Sequence, residues 1–446
     1  MSKLSLLGGD PVRTRPFPCY NVIGPDEIDA VRRVMETGVL SKYLGAHHRD
    51  FMGGEQVQAF EQEWAVTFGS QYGIAANSAT SGLYAAVGAV GIGPGDEVIV
   101  PPLSMSATVT AAVVWGGIPV FADVDPDTCN LDPESVRAAI TPRTRAIVVV
   151  HLFGQPCDMA PIMEIAHAHG LTVIEDCAQS IHARYRGRES GTIADIGVFS
   201  LNYHKHIHTG EGGVCLTDDA RLADRLRMIR NHAEAVAGGK EPDDLTNMVG
   251  FNWRLGEIEA AIGRSLLPKA RPLIEERRGN VAYLEARTGD LPGLAWQRVA
   301  PETTHSYYQH VLHCDEAVHG VPRDLMVRAL RAELPPTEGR DEADGALIGS
   351  GYRRPLYLLP MFRDRIAIGR NGFPFRGPHV NREVSYGPGL CPMAERAANR
   401  MISHEMFRQP MSRADLDDVA AAFHKVCENI PALRELAAAE RRQAAE

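Results

Sequence analysis

The sequence lacks any Cys-x-x-Cys pair: its eight cysteines are scattered along 446 residues. That spacing excludes a thioredoxin-type motif and a cysteine-based zinc site, so reduced thiols in a cytoplasmic protein are expected. Excess basic charge is missing too. Lys and Arg number 46 against 56 Asp and Glu, a net charge of −10, which argues against the broad basic surface that nucleic acid requires. An apolar run of ~20 residues is also absent. The uncharged stretches 73–95 and 98–122 are interrupted by Asn77, Pro94, Pro101, Pro102 and several hydroxyls, so they read as buried sheet elements with no membrane partner. The apolar run near Met1 is too short for a signal peptide. No P-loop occurs, and no Gly-x-Gly-x-x-Gly follows the first strand, which disfavours a dinucleotide enzyme. What remains, 44% hydrophobic and 23% charged, is an ordinary globular composition of two or three domains.

Between 72 and 217 short β-branched runs alternate with helical patterns. The strands expected are 97–100, 120–124, 146–150, 172–175, 197–200 and 214–217, with a helix over 159–169 closed by Gly170. Apolar strands separated by helices imply a mostly parallel sheet covered on both faces. Residues 218–268 read as amphipathic helix, with Pro268 a break or kink. Further helices are expected at 271–287, 322–333 and 412–428, between irregular stretches at 334–351 and 369–392. The division expected is an N-terminal arm (1–20), a large α/β domain (21–270) and a smaller α+β domain (271–446).

Three segments carry chemistry. Asn77-Ser-Ala-Thr-Ser-Gly82 places small and hydroxyl residues where a helix begins, and free backbone amides at such a start suit either a phosphate or a simple N-cap. Asp176 stands just past an apolar strand, where parallel sheets bind ligands; it could meet a ring nitrogen, a metal or a ribose, or merely cap a turn. Lys205 lies in a loop after a strand, among aromatic and polar residues and before Gly210-Glu-Gly-Gly213. A lysine there can lose its proton and form an imine with an aldehyde. Phosphate cradle, acid and lysine, in that order, are what pyridoxal 5'-phosphate (PLP) requires.

With Glu175-Asp176, Phe199-Ser200, Lys205, Gly210-Glu-Gly-Gly213, Gly250-Phe-Asn-Trp-Arg254 and Pro355-Leu-Tyr-Leu-Leu-Pro360, the chain resembles the DegT/StrS family of PLP-dependent sugar or cyclitol aminotransferases. The resemblance implies the type I aminotransferase fold and a homodimer with shared active sites. It implies that Thr80, Ser81 and Ser200 bind phosphate, that Asp176 pairs with the pyridine nitrogen, and that Gln179 lies near the phenolic oxygen. Lys205 would carry the cofactor as an internal aldimine and shuttle protons. Asn252 would reach the neighbouring subunit's phosphate, and Arg254 and His204 would contact substrate. The position that stacks on the ring is usually aromatic in the family and is Met105 here, a thioether able to lie on a π-face.

The activity implied moves an amino group from glutamate or glutamine to a ketone of a sugar or cyclitol. The alternatives are a PLP sugar dehydratase, whose relatives replace the lysine with histidine, and a sensory protein that keeps the fold without turnover. His204, His206 and His208 alternate, which on an extended segment would group them on one face. Without a matching carboxylate or cysteine, no metal is expected there.

Overall fold

The computed structural model describes residues 2–339, 345–380, 382 and 384–445. Its largest sheet has seven strands: β1 (Tyr72–Ala76), β2 (Glu97–Val100), β3 (Ile118–Phe121), β4 (Thr144–Val150), β5 (Thr172–Asp176), β6 (Ile196–Ser200) and β7 (Gly213–Thr217). Their order is β1-β7-β6-β5-β4-β2-β3. Only β7 runs against its neighbours; the pairings from β6 across to β3 are all parallel. Strands as apolar as Val98–Val100 and Ala146–Val150, almost wholly buried, need helices on both faces. The helices Ala79–Val90, Ala107–Val114 and Ala220–Arg230 share one core layer, while Glu55–Phe68 and Met159–His169 belong to others.

Six of the seven strands are among those expected and β1 is not; of the six, β3 differs most, starting earlier than 120, and Val124 makes only an isolated bridge to Leu131. β3 is an edge strand, where a proline's missing N–H is tolerated, so Pro119 does not delay its start. The helix Met159–His169 ends at Gly170 in the left-handed region, as expected. The break expected at Pro268 does not occur. One helix runs Glu257–Thr288 through both Pro268 and Pro272, packed on Pro25–Thr37, Glu55–Phe68 and Arg413–Glu428. That packing outweighs the roughly 3 kcal/mol an interior proline costs.

A second, antiparallel sheet orders Leu294–Trp296, His310–Cys314, Met401–His404 and Ile348–Gly349. Arg323–Glu333 and Arg413–Glu428 share its core, and Leu4 and Phe17 of the N-terminal arm are buried there. After residue 351 the chain leaves this sheet, crosses to the large one and returns at Met401. Along this path Leu356 N–H donates to Pro102 O, Tyr386 Oη–H to Pro119 O, and the amides of Met393 and Ala394 to the Asp123 carboxylate. A single boundary at 270 takes no account of this return. Within the stretches expected to be irregular, residues 340–344, 381 and 383 lie outside the described residues. Among the described residues no helix is long and apolar enough to cross a membrane.

Candidate active site

The parallel strands end at one edge of the large sheet, and the residues singled out in the sequence collect there. Asp176 closes β5 and Ser200 closes β6. Gly213, opposite Ser200 across the β6–β7 pair, lies against the start of the helix Ala79–Val90. A Cβ at Gly213 would stand 2.6 Å from Ala79 N, so no side chain fits between strand and helix start. Ser78 caps that helix, its Oγ accepting the Ser81 N–H at 3.0 Å. Ser81 is consumed locally, its hydroxyl donating to Asn77 Oδ1 at 2.7 Å. Among the described hydrogen bonds the amides of Ala79 and Thr80 have no acceptor, and Thr80 is exposed. Two open amides and a hydroxyl at the positive end of a helix suit an anion.

Lys205 is not on an extended segment. Its N–H donates to Asn202 O at 2.9 Å, forming a turn, and the loop is tied at its base by Leu201 N–H to Gly212 O and Thr209 N–H to Leu201 O. The three histidines therefore part company rather than share a face. His204 is half-buried beside Tyr308, His206 is fully buried with Nε2 at 3.0 Å from Ser306 O, and His208 accepts the Gly210 N–H. Lys205 Nζ lies 4.3 Å from the centre of the Tyr308 ring. Burial pushes its amine down to about 8, with Arg408 adding to the shift and Asp176 opposing it. Burial, reinforced by the Lys205 charge, pushes His204 down to about 4. His204 is thus neutral near pH 7, whereas Lys205 loses its proton above about 8, and the buried neutral amine so formed is a nucleophile and a base.

Asp176 is buried, and burial raises its pKa; Thr108 Oγ1, donating at 2.8 Å, and the Ala178 N–H at 3.1 Å act against that. Gln179 follows on the same edge. Its Oε1 accepts the Phe153 N–H at 2.7 Å, and its Nε2 donates to Tyr352 Oη at 2.8 Å. Phe153 itself has φ 61°, a conformation that costs a non-glycine residue of order 1–3 kcal/mol. Its carbonyl accepts the Tyr308 N–H at 2.9 Å, so the strained residue joins Gln179 to the ring under Lys205.

Tyr308, Tyr352 and Glu405 also line a cavity of about 460 Å³ with Gln309, Ser350 and Ser403. Sequence reading found none of these, nor Thr108 or Arg408, because no local motif marks them. Glu405 accepts from Gln309 Nε2 at 3.2 Å and pairs with Arg408 at 2.6 Å. Tyr20, from the arm, donates through Oη to His206 O, and the guanidinium groups of Arg277 and Arg408 lie 4.9 and 5.8 Å from its ring centre.

Three other expected residues are not buried. Met105 is 65% exposed. Asn252 and Arg254 contact each other at 2.7 Å on the surface, and Arg254 also faces the Tyr43 ring. The cluster with metal-ligand spacing is elsewhere: His151, Glu175 and Cys177, all buried. Glu175 already accepts from His151 Nε2 and the amides of Gly191, Ile193 and Ala194, so it serves as a structural anchor of β4, β5 and the following loop.

A buried lysine of depressed pKa, a buried carboxylate on the same strand edge and an open helix start fit PLP, whose aldehyde, ring nitrogen and phosphate need these three partners. Comparison with known proteins agrees. The "Spore coat polysaccharide biosynthesis protein SpsC" of Bacillus subtilis is 37% identical over 371 residues, covering 82% of this chain and 90% of its own. An L-glutamine:2-deoxy-scyllo-inosose aminotransferase of Streptoalloteichus tenebrarius is 33% identical over 446 residues, covering 97% and 99%. The crystal structure of DesI in the presence of its TDP-sugar product superimposes with a TM-score of 0.80 at 28% identity, covering 98% and 99%. Residues 24–366 match the DegT/DnrJ/EryC1/StrS aminotransferase family, and the chain is a PLP-dependent aminotransferase belonging to that family.

Proposed function

We propose that this aminotransferase moves an amino group from glutamine, with glutamate the other candidate donor, to the ketone of a cyclitol such as 2-deoxy-scyllo-inosose. The observation that supports the cyclitol is the extent of the match: the cyclitol enzyme aligns over 97% of the chain. The alignment therefore takes in most of the crossing segment 351–400, which supplies Tyr352 to the cavity. The 460 Å³ space combines hydroxyl, amide and carboxylate groups with Arg331, Arg353, His404 and aliphatic residues, a size and polarity that a small polyhydroxylated ketone suits.

Bound PLP supplies the electron sink that lets a C–H bond beside nitrogen ionise. In this reading Lys205 holds the cofactor's aldehyde carbon and, once free, carries the substrate proton as a neutral amine. Asp176 faces the ring nitrogen as an anion, and Gln179 lies near the phenolic oxygen. Thr80, Ser200 and the amides of Ala79 and Thr80 take the phosphate, with Ser81 shaping the helix start. Met105 covers one ring face, and His204 with the Tyr308 wall meets the substrate. Asn252 and Arg254, open to solvent within one chain, serve the site of a second copy in a homodimer. Exposed Met105, Tyr203, Val249 and Phe251 are apolar surface for that copy to cover. The setting is a cytoplasmic aminocyclitol or amino-sugar pathway of the antibiotic type.

The test feeds the PLP-loaded protein glutamine or glutamate, with 2-deoxy-scyllo-inosose or nucleotide-linked keto-sugars, and reads products by mass spectrometry. Amination of the inosose is the expected result; amination of the nucleotide sugars alone would sink the cyclitol assignment. Sedimentation of a monomer would sink the shared site.

A further inference from the structure

Asp176 is buried at the end of β5, and an unassisted carboxylate there would lose its charge to burial. Its oxygens are fixed by groups from two different elements. Oδ1 accepts the Ala178 N–H, which any residue at 178 other than proline would supply. Oδ2 accepts the Thr108 hydroxyl at 2.8 Å. Thr108 is fully buried in the first turn of the helix Ala107–Val114, and its Oγ1 lies 2.8 Å from Ser104 Oγ. Because the single Thr108 proton goes to Asp176, the Ser104 hydroxyl is the donor to Thr108. The result is a directed chain, Ser104 to Thr108 to Asp176, running from the loop that carries Met105 to the carboxylate.

We infer that Thr108, set by Ser104, is a positioning residue of the cofactor site: its hydroxyl aims the Asp176 carboxylate and secures its negative charge for the ring nitrogen of PLP. The inference rests on the role proposed for Asp176. A charge-assisted O–H···O⁻ bond in a dry interior is among the stronger hydrogen bonds, and its loss leaves a carboxylate oxygen unpaired. Valine has the shape of threonine without the donor, so Thr108→Val separates hydroxyl from packing. Serine keeps the donor and loses only a methyl group. The other titratable groups that sense Asp176 are Lys205, His151, Cys177 and Tyr352, and none is altered by these substitutions.

The experiment compares the PLP-loaded parent with Thr108→Val, Thr108→Ser, Ser104→Ala and Asp176→Asn. It reads PLP dissociation by dialysis, the pH midpoint of the visible absorbance band, and thermal melting to establish folding. Thr108→Val is expected to weaken PLP retention about tenfold and to move the midpoint by about one unit, and Asp176→Asn to do both more strongly. Thr108→Ser is expected within about twofold of the parent, and Ser104→Ala about threefold weaker, because its Thr108 donor survives with less orientation. Should Asp176→Asn shift the band while Thr108→Val leaves midpoint and retention at parental values, the relay is overturned and Asp176 stands. Thr108→Ser behaving like Thr108→Val also overturns it, since the methyl group and not the hydroxyl would then matter. Asp176→Asn with parental spectrum and retention overturns the underlying role, and the relay with it. If Thr108→Val does not fold, Thr108→Ser and Ser104→Ala still decide between hydroxyl and packing.

Discussion

The surroundings of Lys205 form two walls of different construction. The sheet-edge wall draws on residues 77–213, and its polar groups are held by near neighbours: Ser78 holds Ser81, Thr108 holds Asp176, and the Lys205 turn is tied at its base. The opposite wall is gathered from Tyr20, Arg277, Tyr308, Tyr352, Glu405 and Arg408, which come from five separated stretches of chain. There Arg277 Nη2 and Arg408 Nε are buried without a hydrogen-bond partner among the described residues. On the sheet-edge wall the open donors are backbone amides, those of Ala79 and Thr80 at the helix start. The other wall retains unspent side-chain donors, as befits the side where relatives with different acceptors must differ.

The sharpest way to break this division is Lys205→Ala. It is expected to abolish the visible absorbance of the PLP-loaded protein and to cut turnover about a thousandfold or more; a variant that keeps both would remove the sheet edge from the chemistry altogether. A second experiment asks whether the far wall tunes the near one. For the protein freed of cofactor, the rate of imine formation with added PLP should rise with pH and level off near 8, because the depressed amine is deprotonated above that value. Tyr308→Ala, which lets water reach Nζ, should carry that plateau upward by about one unit, toward the ordinary lysine value. An unchanged plateau would mean that the ring does not shield the amine. The smallest effect belongs to Tyr352→Phe, which removes the Gln179 contact. It is expected to raise the acceptor KM about threefold to tenfold with an unaltered absorbance spectrum. A spectral change instead would place Tyr352 on the cofactor's wall.

The same division governs what could be read from the sequence. The inner strands of the large sheet, the helix Met159–His169 with its Gly170 stop, and the order helix start, Asp176, Lys205 are written in contiguous residues, so period and turn chemistry expose them. Misreadings arose where tertiary context overrides local preference. Pro268 sits inside a helix braced by three others, and the histidines around Lys205 alternate in sequence while the backbone turns. Ser78 was within reach, since a serine ahead of Ala79 is an ordinary cap. Nothing local announces Tyr352 or Arg408. The contact between Gln179 and Tyr352 joins residues 173 positions apart, and such pairings leave no trace in spacing.

The contact of Tyr20 with the lysine turn and with Arg408 bears on how the enzyme is made. The arm that supports the turn leaves the ribosome early, but the guanidinium that flanks it arrives only after nearly the whole chain has been translated. A chain that ends before Arg408 leaves the lysine turn supported from the arm without the guanidinium that flanks it.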